Sequence, residues 1–423
     1  MTREKIIHDP VHGSIRLSGL VLDLVDTLEV QRLRRIHQLG FANLVFPGAN
    51  HARFEHSLGV AYLVQRVSHE LGLPPQEKDL LISAAMLHDI GHPPYSHTLE
   101  CLMLEHIGMN HMELAGEVLK GKLKMCAPEE TEKLTKLGVP SAAEVLSDHG
   151  LDPEELSHLL LGEHEKPYLS QIIHSDVDVD QMDYLLRDSH FTGVALGKID
   201  IDRLLRTLRV HQNRLAIANK GVEAVEGLLT ARALMHSSVY FHHTTRTAEL
   251  MLANAVDRAI AEGGPVTKEN FYKMGDEELM ERLYETGGYP RDIVVRLRYR
   301  QLFKPALVIT REELELGVGE KIKRVCKEWL KLRELQDEIA EAAGVPRGEV
   351  ILDAPMTDIA ITEPRLKKVE VPVLADGKLV RLSKVSPLPI PLKERQATRY
   401  VMRVLAPVEH LNRVAEPAKE ILS

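Results

Sequence analysis

The chain has 423 residues, of which 44% are hydrophobic and 4% aromatic, and its formal net charge is −9. A chain of this length is too long to fold around one simple hydrophobic core, so two or three lobes are expected. The scarcity of aromatic residues favours packed aliphatic helices, and the acidic balance argues against a chain-wide nucleic-acid surface, which is normally basic. Three widely spaced cysteines, Cys101, Cys126 and Cys326, cannot build a disulfide framework. The sequence has no signal-peptide pattern and no apolar run of about 20 residues, so it predicts a cytoplasmic protein without a membrane partner.

Helical periodicity dominates the chain up to about residue 300. Apolar residues recur at three- and four-residue spacing, and glycine or proline ends several of the runs. One run ends before Gly91, which places His88 and Asp89 on its last turn. The pattern predicts helices at 20–38, 56–72, 76–90, 140–162, 168–190, 221–238, 245–262 and near 319–342, with a solvated connection at 119–140.

Strand-like patterns are short and lie in two places. A β-ribbon is expected at 208–219, with Gln212-Asn213 at its turn. After residue 300, the sequence contains the strand-like runs EVILD, KKVEVPVL and KLVRL. An Asp376-Gly377 turn lies among them and is a hairpin signal. We therefore predict a mainly α fold, with a helical core over residues 1–300 and a smaller α+β lobe over residues 301–423.

One histidine–aspartate constellation carries the chemistry of this sequence. His88 and Asp89 adjoin at a helix end, His56 begins a neighbouring helix, and Asp180 opens a later one. Imidazole and carboxylate groups bind divalent iron, manganese, nickel, zinc or magnesium. Adjacent residues point about 100° apart on a regular helix, but the backbone opens before Gly91, so both side chains can converge. The sequence predicts a divalent metal site with these four residues as ligands.

Two more histidines, His92 and His97, follow in the stretch AAMLHDIGHPPYSH. A lone histidine is more often a core residue than a ligand, and a lone His-Asp doublet is common. The density favours a functional site, because four such residues fall within ten positions of a loop rich in glycine and proline. Histidine titrates near neutrality and suits proton transfer beside a metal that acts as a Lewis acid. The pattern therefore predicts metal-assisted hydrolysis of a phosphate ester.

Several segments, in order along the chain, resemble the HD-domain phosphohydrolase superfamily. They are KIIHDPVHGSIRL, DTLEVQRLRRIHQLG, FPGANHARFEHSLGV, LHDIGHPPYSH and DVDQMDYLLRDS. They are most similar to the branch of the SAM-and-HD-domain deoxynucleotide triphosphohydrolase and its prokaryotic relatives, and the resemblance runs from residue 5 to about 260. It implies a helical HD core, a homodimer or homotetramer, and hydrolysis of a dNTP to deoxynucleoside and triphosphate. A phosphodiesterase or nucleotide monophosphatase with a second metal at His92 and His97 stays open. A non-catalytic nucleotide sensor or nucleic-acid-binding module is the remaining alternative.

The resemblance also implies roles for individual residues. The metal ligands would be His56, His88, Asp89 and Asp180, and the catalytic group would be His92, His97, His111 and Glu100, with Glu100 orienting His97. The substrate contacts would be Gln38, Arg53, Tyr184, Asp188, Arg232, Tyr240 and His242. A second site for an activating nucleotide would use Lys5, Asp26, Gln31, Arg34, Arg203 and Lys220.

Three departures from the family pattern bear on the substrate. Gln181 stands where the deoxynucleotide enzymes have a basic residue, and a lost charge of this kind weakens triphosphate binding by about 1–3 kcal/mol. The carboxylate of the family's His-Glu pair is displaced to Glu113, and Pro93 stiffens the loop beside His92. These departures leave the hydrolytic chemistry intact and put the identity of the substrate in question.

Overall fold

The computed structural model describes residues 4–126, 128–310, 312–313, 320–325, 328–354, 371–389, 391–392 and 402–423. Most of the described chain is helical, which confirms the predicted fold class. The helices are α1 (Leu20–Val25), α2 (Leu28–Arg32), α3 (Arg53–Leu71), α4 (Pro75–Leu87), α5 (Glu100–Ile107), α6 (His111–Leu119), α7 (Pro128–Lys136), α8 (Ala142–Asp148), α9 (Pro153–Leu161), α10 (Pro167–Ile173), α11 (Val179–Thr192), α12 (Ile201–Thr207), α13 (Val222–Met235), α14 (His243–Glu262), α15 (Asp276–Thr286), α16 (Gly288–Arg298), α17 (Glu320–Val325), α18 (Trp329–Ala343), α19 (Leu382–Val385) and α20 (Leu411–Leu422).

The strands are short and form three small sheets. They are β1 (Glu4–Asp9), β2 (Gly13–Ser18), β3 (Leu208–His211), β4 (Arg214–Ala218), β5 (Lys304–Ile309), β6 (Ile351–Asp353), β7 (Pro372–Ala375), β8 (Lys378–Arg381) and β9 (Met402–Ala406). The strand orders are β1-β2, β3-β4-β7-β8 and β5-β9-β6. Both predicted turns are confirmed, since Gln212, Asn213, Asp376 and Gly377 all have positive φ angles, as tight hairpins require.

The first predicted helix is interrupted in the structure. Residues 20–38 contain α1, α2 and a 3-10 turn at Leu33–Arg35, so the prediction of one continuous helix was wrong. The break is at Thr27, whose backbone is extended and whose hydroxyl donates to the Leu24 carbonyl at 2.8 Å. A threonine hydroxyl that bonds locally competes with helix continuation in this way.

Further boundaries differ from the predictions, and the 140–162 pattern divides into α8 and α9. Helix α7 lies within the stretch 119–140 that was predicted as a connection. The 168–190 pattern divides into α10 and α11, because the Asp178 side chain accepts from the Gln181 amide and begins a new helix. Helix α3 begins at Arg53, before His56, with the Glu55 carboxylate accepting from the Ala52 amide at 3.0 Å. These caps satisfy amides that have no partner inside a helix.

Two apolar clusters hold the fold together. The larger one joins the helices of the first 300 residues and includes Leu405 from β9. The smaller one lies between α18, α20 and the β5-β9-β6 sheet. Strand β7 pairs in parallel with β4, with Ile217 opposite Val373, so the β7–β8 hairpin extends the ribbon of the helical core. The division of domains at residue 300 stays a prediction. Within the described residues, no helix is long and apolar enough to cross a membrane.

Candidate functional site

Three of the predicted metal ligands meet inside the helical core. His56 lies in the first turn of α3, His88 follows the last residue of α4, and Asp180 lies in the first turn of α11. Helix α3 packs against both α4 and α11, which brings the three side chains together. His56 Nε2 and Asp180 Oδ1 are 3.0 Å apart. Each of the three residues offers one ligand atom, and these atoms all lie within 4.8 Å of one another. This spacing allows them to bind one metal ion.

The second ring nitrogen of each histidine fixes its orientation. His88 Nδ1 donates to the Ala85 carbonyl at 2.9 Å, and His56 Nδ1 donates to the Asp183 carboxylate at 2.7 Å. These bonds leave Nε2 of both rings as the atom that faces the ligand cluster. His88 Nε2 is buried and has no hydrogen-bond partner among the described residues. Metal-binding histidines have this arrangement, so the donor set fits a divalent cation.

Asp89 borders the cluster and connects it to an arginine. Its carboxylate lies 3.3 Å from His88 Nε2 and accepts from Arg53 Nη1 at 2.6 Å. Burial opposes the ionisation of Asp89, but the positive Arg53 and the neighbouring His88 hold its pKa well below the ordinary value. Arg53 Nη2 is buried without a partner among the described residues. A spare guanidinium N–H in this position suits a phosphate oxygen.

The charge around His56 indicates that a cation belongs here. Burial lowers the pKa of His56, but hydrogen bonds to Asp180 and Asp183 outweigh burial and raise it to about 10. The same ring lowers the pKa of Asp180, against the effect of burial. Three carboxylates thus stabilise one positive charge at this point, and a metal ion competes with the proton for it.

A second cluster, formed by His92, His97 and His111, surrounds one carboxylate. Buried Glu100 accepts from His97 Nδ1 at 2.9 Å and from His111 Nδ1. The His92 ring stacks on His111 with centroids 3.9 Å apart and meets His97 edge-on at 4.8 Å. The His97 side chain is 54% exposed, whereas Glu100 is 3% exposed. A buried carboxylate therefore orients two histidines, one of which reaches solvent.

Electrostatics separates the roles of these groups. Burial opposes the ionisation of Glu100, but His111 and His97 hold its pKa well below the ordinary value. Burial, Arg53 and His111 together hold the pKa of His92 well below the ordinary value for a histidine. Glu100 is therefore ionised and His92 is neutral near neutral pH. His97 and His111, which share the ionised carboxylate, are the better proton donors.

The turn before His97 has an unusual backbone. Tyr95 and Ser96 both have left-handed φ angles, 56° and 58°, which side chains with a Cβ atom adopt at a cost. Asp276, at the start of α15, accepts from the Tyr95 amide at 2.6 Å and from the His37 ring at 2.6 Å. Ser96 Oγ accepts from Arg53 Nε at 2.7 Å and donates to the His37 carbonyl at 2.7 Å. Polar contacts thus hold the strained turn in place.

A fully buried arginine fixes the loop that precedes this turn. Arg32 donates to the carbonyl of His92 at 3.0 Å and to the carbonyls of Tyr272, Lys273 and Met274 at 2.6–2.9 Å. Segment 272–276 therefore supports the loop at both ends, through Arg32 and through Asp276. The sequence prediction contained neither contact.

Aromatic and acidic side chains form a further part of the site. Asp188 accepts from Tyr240 Oη at 2.7 Å and from His51 Nε2 at 2.9 Å. The rings of Tyr184 and Tyr240 are 6.1 Å apart and nearly perpendicular. Gln38 Oε1 is buried and has no hydrogen-bond partner within the described part of the chain. An apolar ring pair with a carboxylate and an amide suits a sugar and a base.

These groups line one cavity of about 400 Å³, a volume typical of small-molecule sites. Predicted site residues on its wall are Gln38, Arg53, His56, His88, Asp89, His92, His97, Glu100, His111, Asp180, Tyr184, Asp188 and Tyr240. Among the described residues that line it, Arg53 is the only arginine or lysine. Two predicted substrate residues, Arg232 and His242, do not line it.

The positions of Arg232 and His242 have local explanations. Arg232 is buried, and its Nη1 donates to Gln181 Oε1 at 3.1 Å. The Gln181 amide in turn donates to the Ser175 carbonyl and the Asp178 carboxylate. Gln181 therefore binds the arginine in the protein interior. His242 caps α14 by accepting from the Thr244 amide at 3.2 Å.

The residues predicted for an activating nucleotide form two groups. Lys5 Nζ donates to Asp26 Oδ2 at 3.2 Å, and Arg34 Nε donates to Gln31 Oε1 at 3.0 Å. In the other group, Arg203 donates to the Lys220 carbonyl at 2.6 Å. Most of these side chains are exposed or half-buried, so the surface is accessible to a ligand.

Several residues of the site are absent from the sequence prediction. Asp183 follows Asp180 by three positions, a helical spacing from which its place beside the metal ligands could have been found. Asp276, His236 and Glu249 are single polar residues far from the main motif, and His51 lies within FPGANHARFEHSLGV but was given no role.

Comparison with known proteins gives consistent matches over most of the chain. The sequence pattern of the HD domain matches residues 53–188, and that of the HD associated region matches residues 199–423. An uncharacterized protein of Methanocaldococcus jannaschii is 32% identical over 416 residues, which cover 97% of this chain and 81% of that protein. A crystal structure of a hypothetical protein from Aquifex aeolicus is similar with a TM-score of 0.70 and 28% identity, covering 99% of this chain and 100% of that one.

Human deoxynucleoside triphosphate triphosphohydrolase SAMHD1 is 30% identical over 351 residues. The match covers 71% of this chain and 54% of the human protein, so the chain spans about half the length of that relative.

Proposed function

Because this chain belongs to the HD-domain family and carries the HD-associated region as well, we propose that it is a metal-dependent hydrolase of deoxynucleoside triphosphates, with deoxynucleoside and triphosphate as products. The observation that carries the proposal is the meeting of three kinds of group in one cavity. A cluster of metal ligands, a pair of histidines on an ionised carboxylate and an aromatic pocket with Asp188 all face the same space. Similarity to the human triphosphohydrolase supports this choice of substrate.

Each part of the cavity has a role in this reaction. When bound by His56, His88, Asp89 and Asp180, a divalent cation supplies Lewis acidity toward a phosphate oxygen. Arg53 donates its spare N–H to another phosphate oxygen. Water adds to the α-phosphorus as the bond from phosphorus to the 5′-oxygen breaks, and His97 gives a proton to that leaving oxygen. The attacking water releases one proton to solvent, and the exposed His97 takes one up from solvent.

The groups around His97 hold it for this transfer. Glu100 occupies His97 Nδ1, so Nε2 is the nitrogen available to the leaving oxygen. His111 shares the same carboxylate and, beside neutral His92, donates to the phosphates. Asp188 is proposed to accept a hydrogen bond from a sugar hydroxyl in exchange for one of its present partners, and Gln38 Oε1 to accept from the nucleoside.

A second candidate function, hydrolysis of a diester or of a nucleotide monophosphate, is favoured by one observation. Arg53 alone among the described arginines and lysines lines the cavity, because Gln181 holds Arg232 away from it. A substrate with fewer phosphates needs fewer cationic contacts. A second metal at His92 and His97 belongs to this alternative. A non-catalytic nucleotide sensor or nucleic-acid-binding module is less well supported, since it has no need of the metal ligands.

Regulation and assembly are proposals of the same kind. We propose that an activating nucleotide binds at Lys5, Asp26, Gln31, Arg34, Arg203 and Lys220, and that the protein forms a homodimer or homotetramer. The clustering of Lys5 with Asp26 and of Arg34 with Gln31 supports a ligand site there.

The test is product analysis with all four dNTPs in the presence of added Mn²⁺, with and without a second nucleotide. Inorganic triphosphate and deoxynucleoside are the expected products. The variant Asp89→Asn should lose the activity, and Asp79→Asn, an exposed carboxylate on the preceding helix α4, should retain it. Intact dNTPs combined with cleavage of a monophosphate or a diester would establish the second candidate.

A further inference from the structure

The N-terminal hairpin reaches the metal site through a chain of hydrogen bonds. Strands β1 and β2 are joined by a turn that contains His12. The His12 side chain is 5% exposed, and its Nε2 donates to Asp183 Oδ1 at 2.7 Å. Asp183 is the same carboxylate that binds Nδ1 of the metal-ligating His56. The hairpin lies outside residues 53–188, where the HD domain pattern matches.

Asp183 is held by four donors and is completely buried. Its Oδ1 accepts from His12 Nε2 and from Arg187 Nη2 at 3.0 Å. Its Oδ2 accepts from His56 Nδ1 and from Arg187 Nε at 2.8 Å. Burial opposes the ionisation of Asp183, but Arg187 and the two histidines hold its pKa well below the ordinary value. The carboxylate therefore has no freedom to turn while all four donors are present.

The hairpin turn is itself fixed to the same network. Asp9 Oδ1 accepts from the amides of Val11 and His12 at 2.9 and 2.7 Å. Asp9 Oδ2 accepts from Arg187 Nη1 at 2.7 Å. Arg187 thus connects Asp9 to Asp183, and the turn and helix α11 are bound by two independent contacts.

Helix α3 makes room for this network at one position. Gly59 lies one turn after His56, and a Cβ atom there would lie 1.9 Å from Asp183 Oδ1 and 2.4 Å from Arg187 Nη2. Only glycine allows the carboxylate to approach the helix this closely. The close approach places Asp183 beside the His56 ring, on the side opposite Asp180.

We propose that the β1–β2 hairpin is part of the metal site, with His12 as a positioning residue. His12 fixes Asp183, and Asp183 fixes the tautomer and the orientation of His56, so that Nε2 faces the metal. Partners that bond directly to a metal ligand, as Asp183 does to His56, change metal affinity by about 10- to 100-fold when they are removed, and the loss of His12 acts through Asp183. The inference rests on the metal centre of the proposed function and is independent of the substrate.

The test measures Mn²⁺ binding to the full, metal-stripped chain by isothermal titration calorimetry. His12→Leu keeps the bulk and removes the donor, so the Kd for Mn²⁺ should rise about tenfold. His12→Gln places an amide donor near the position of Nε2 and should restore most of the affinity. His8→Leu, at an exposed position of the same hairpin, should bind Mn²⁺ as the wild type does. Melting of the metal-free variants verifies that each is folded at the titration temperature.

The outcomes separate this inference from the proposed function. A folded His12→Leu variant with the wild-type Kd would overturn the role of His12. If His12→Leu does not fold, Asp9→Asn provides the comparison, with a weaker Mn²⁺ affinity expected and an unchanged affinity contradicting the proposal. A wild-type protein that binds Mn²⁺ but cleaves no dNTP contradicts only the proposed substrate. A wild-type protein that binds no divalent metal overturns both.

Discussion

The two sides of the cavity are built in different ways. The metal side is formed by His56, His88 and Asp180 on three regular helices, and each histidine has its second nitrogen fixed by a hydrogen bond. The acid side is formed by His97, in the 3-10 turn Ser96–Leu99 that begins in left-handed conformation, and by Glu100, the first residue of α5. His97 is half-exposed, whereas His56 and His88 are buried. A metal requires fixed distances, and a proton donor requires access to the leaving group.

The two sides of the cavity also differ in their arrangement of charged groups. The metal side concentrates the carboxylates Asp89, Asp180 and Asp183 around one histidine and so favours a cation. The acid side places His97 and His111 on one carboxylate, which favours exchange of protons. If this comparison is right, damage to one side leaves the function of the other measurable.

The largest effect is expected from the metal side. His88→Ala removes the ligand whose Nε2 has no hydrogen-bond partner among the described residues, so bound metal and hydrolysis should both be lost, the latter by at least about 1,000-fold. Metal content measured by atomic emission, together with turnover, checks this. A variant that retains activity without metal would show that His88 is not a ligand and would break the comparison at its first step.

The next effect is expected from the acid side. His97→Ala should lower kcat by about 100- to 10,000-fold, the usual contribution of a general acid, while Mn²⁺ binding is unchanged. The loss of kcat in His97→Ala should be smaller for a p-nitrophenyl phosphate ester, because p-nitrophenolate leaves without a proton. Rates on both substrates measure the difference.

His158 provides a matched control for that experiment. Its side chain is also 54% exposed and lies beside a glutamate, Glu163, at 3.6 Å. His158→Ala should therefore keep both rates. Equal losses on the two substrates in His97→Ala would mean that His97 binds phosphate and does not protonate the leaving group.

A smaller effect is expected from the support of the acid side. Asp276→Asn keeps the shape of the side chain but removes one of the two oxygens that accept from Tyr95 and His37. The left-handed turn should relax and displace His97, and a displacement of about 1 Å lowers the rate by up to roughly 100-fold. A fall in kcat with little change in KM is the expected result.

Asp257→Asn is the control for Asp276→Asn. Asp257 is equally buried and accepts from His106 and Arg333, away from the cavity. Both variants should lose thermal stability, but only Asp276→Asn should lose activity at a temperature where both are folded. Unchanged kcat in Asp276→Asn would show that the turn needs no such support.

The two sides also differ in how far the sequence predicts them. His56, His88 and Asp180 follow from residue type and from their positions at helix ends, and the structure brings them together. Asp276 belongs to the site through long-range contacts to Tyr95 and His37, which no local pattern reveals. Resemblance to a family supplied Glu100 and His111 because they lie within a recognisable segment.

Prediction of the fold from the sequence has the same limit: local features can be predicted and long-range contacts cannot. The helices and the Asp376-Gly377 hairpin were predictable from periodicity and turn chemistry, which are local. The hairpin at residues 4–18 was not assigned, although it supports the metal site. The parallel pairing of β7 with β4 joins residues more than 150 positions apart, and such pairing depends on tertiary packing.

The smallest effect concerns Glu249, which lines the cavity near the acid side. Its carboxylate lies close to Gly40 and Thr98, since a Cβ atom on Gly40 would be 3.6 Å from Glu249 Oε1 and 3.3 Å from Thr98 Oγ1. Burial raises the pKa of Glu249 to about 7, against the opposing charge of Arg246. Between the ordinary pKa of a glutamate and pH 7, the folded chain therefore holds a proton that the unfolded chain has released. The free energy of unfolding falls as pH rises through this window.

Glu249→Gln should remove that slope, because glutamine is neutral at every pH. At pH 8 the variant should be more stable than the wild type by about 3 kcal/mol, and at pH 4.5 the difference should vanish. Urea unfolding at a series of pH values measures this, with Glu262→Gln at an exposed position of the same helix as control. A parallel pH dependence of wild type and Glu249→Gln would mean that Glu249 is already ionised in the fold. The acid side would then tolerate a second buried negative charge beside Glu100, and its contrast with the carboxylate-rich metal side would be weaker.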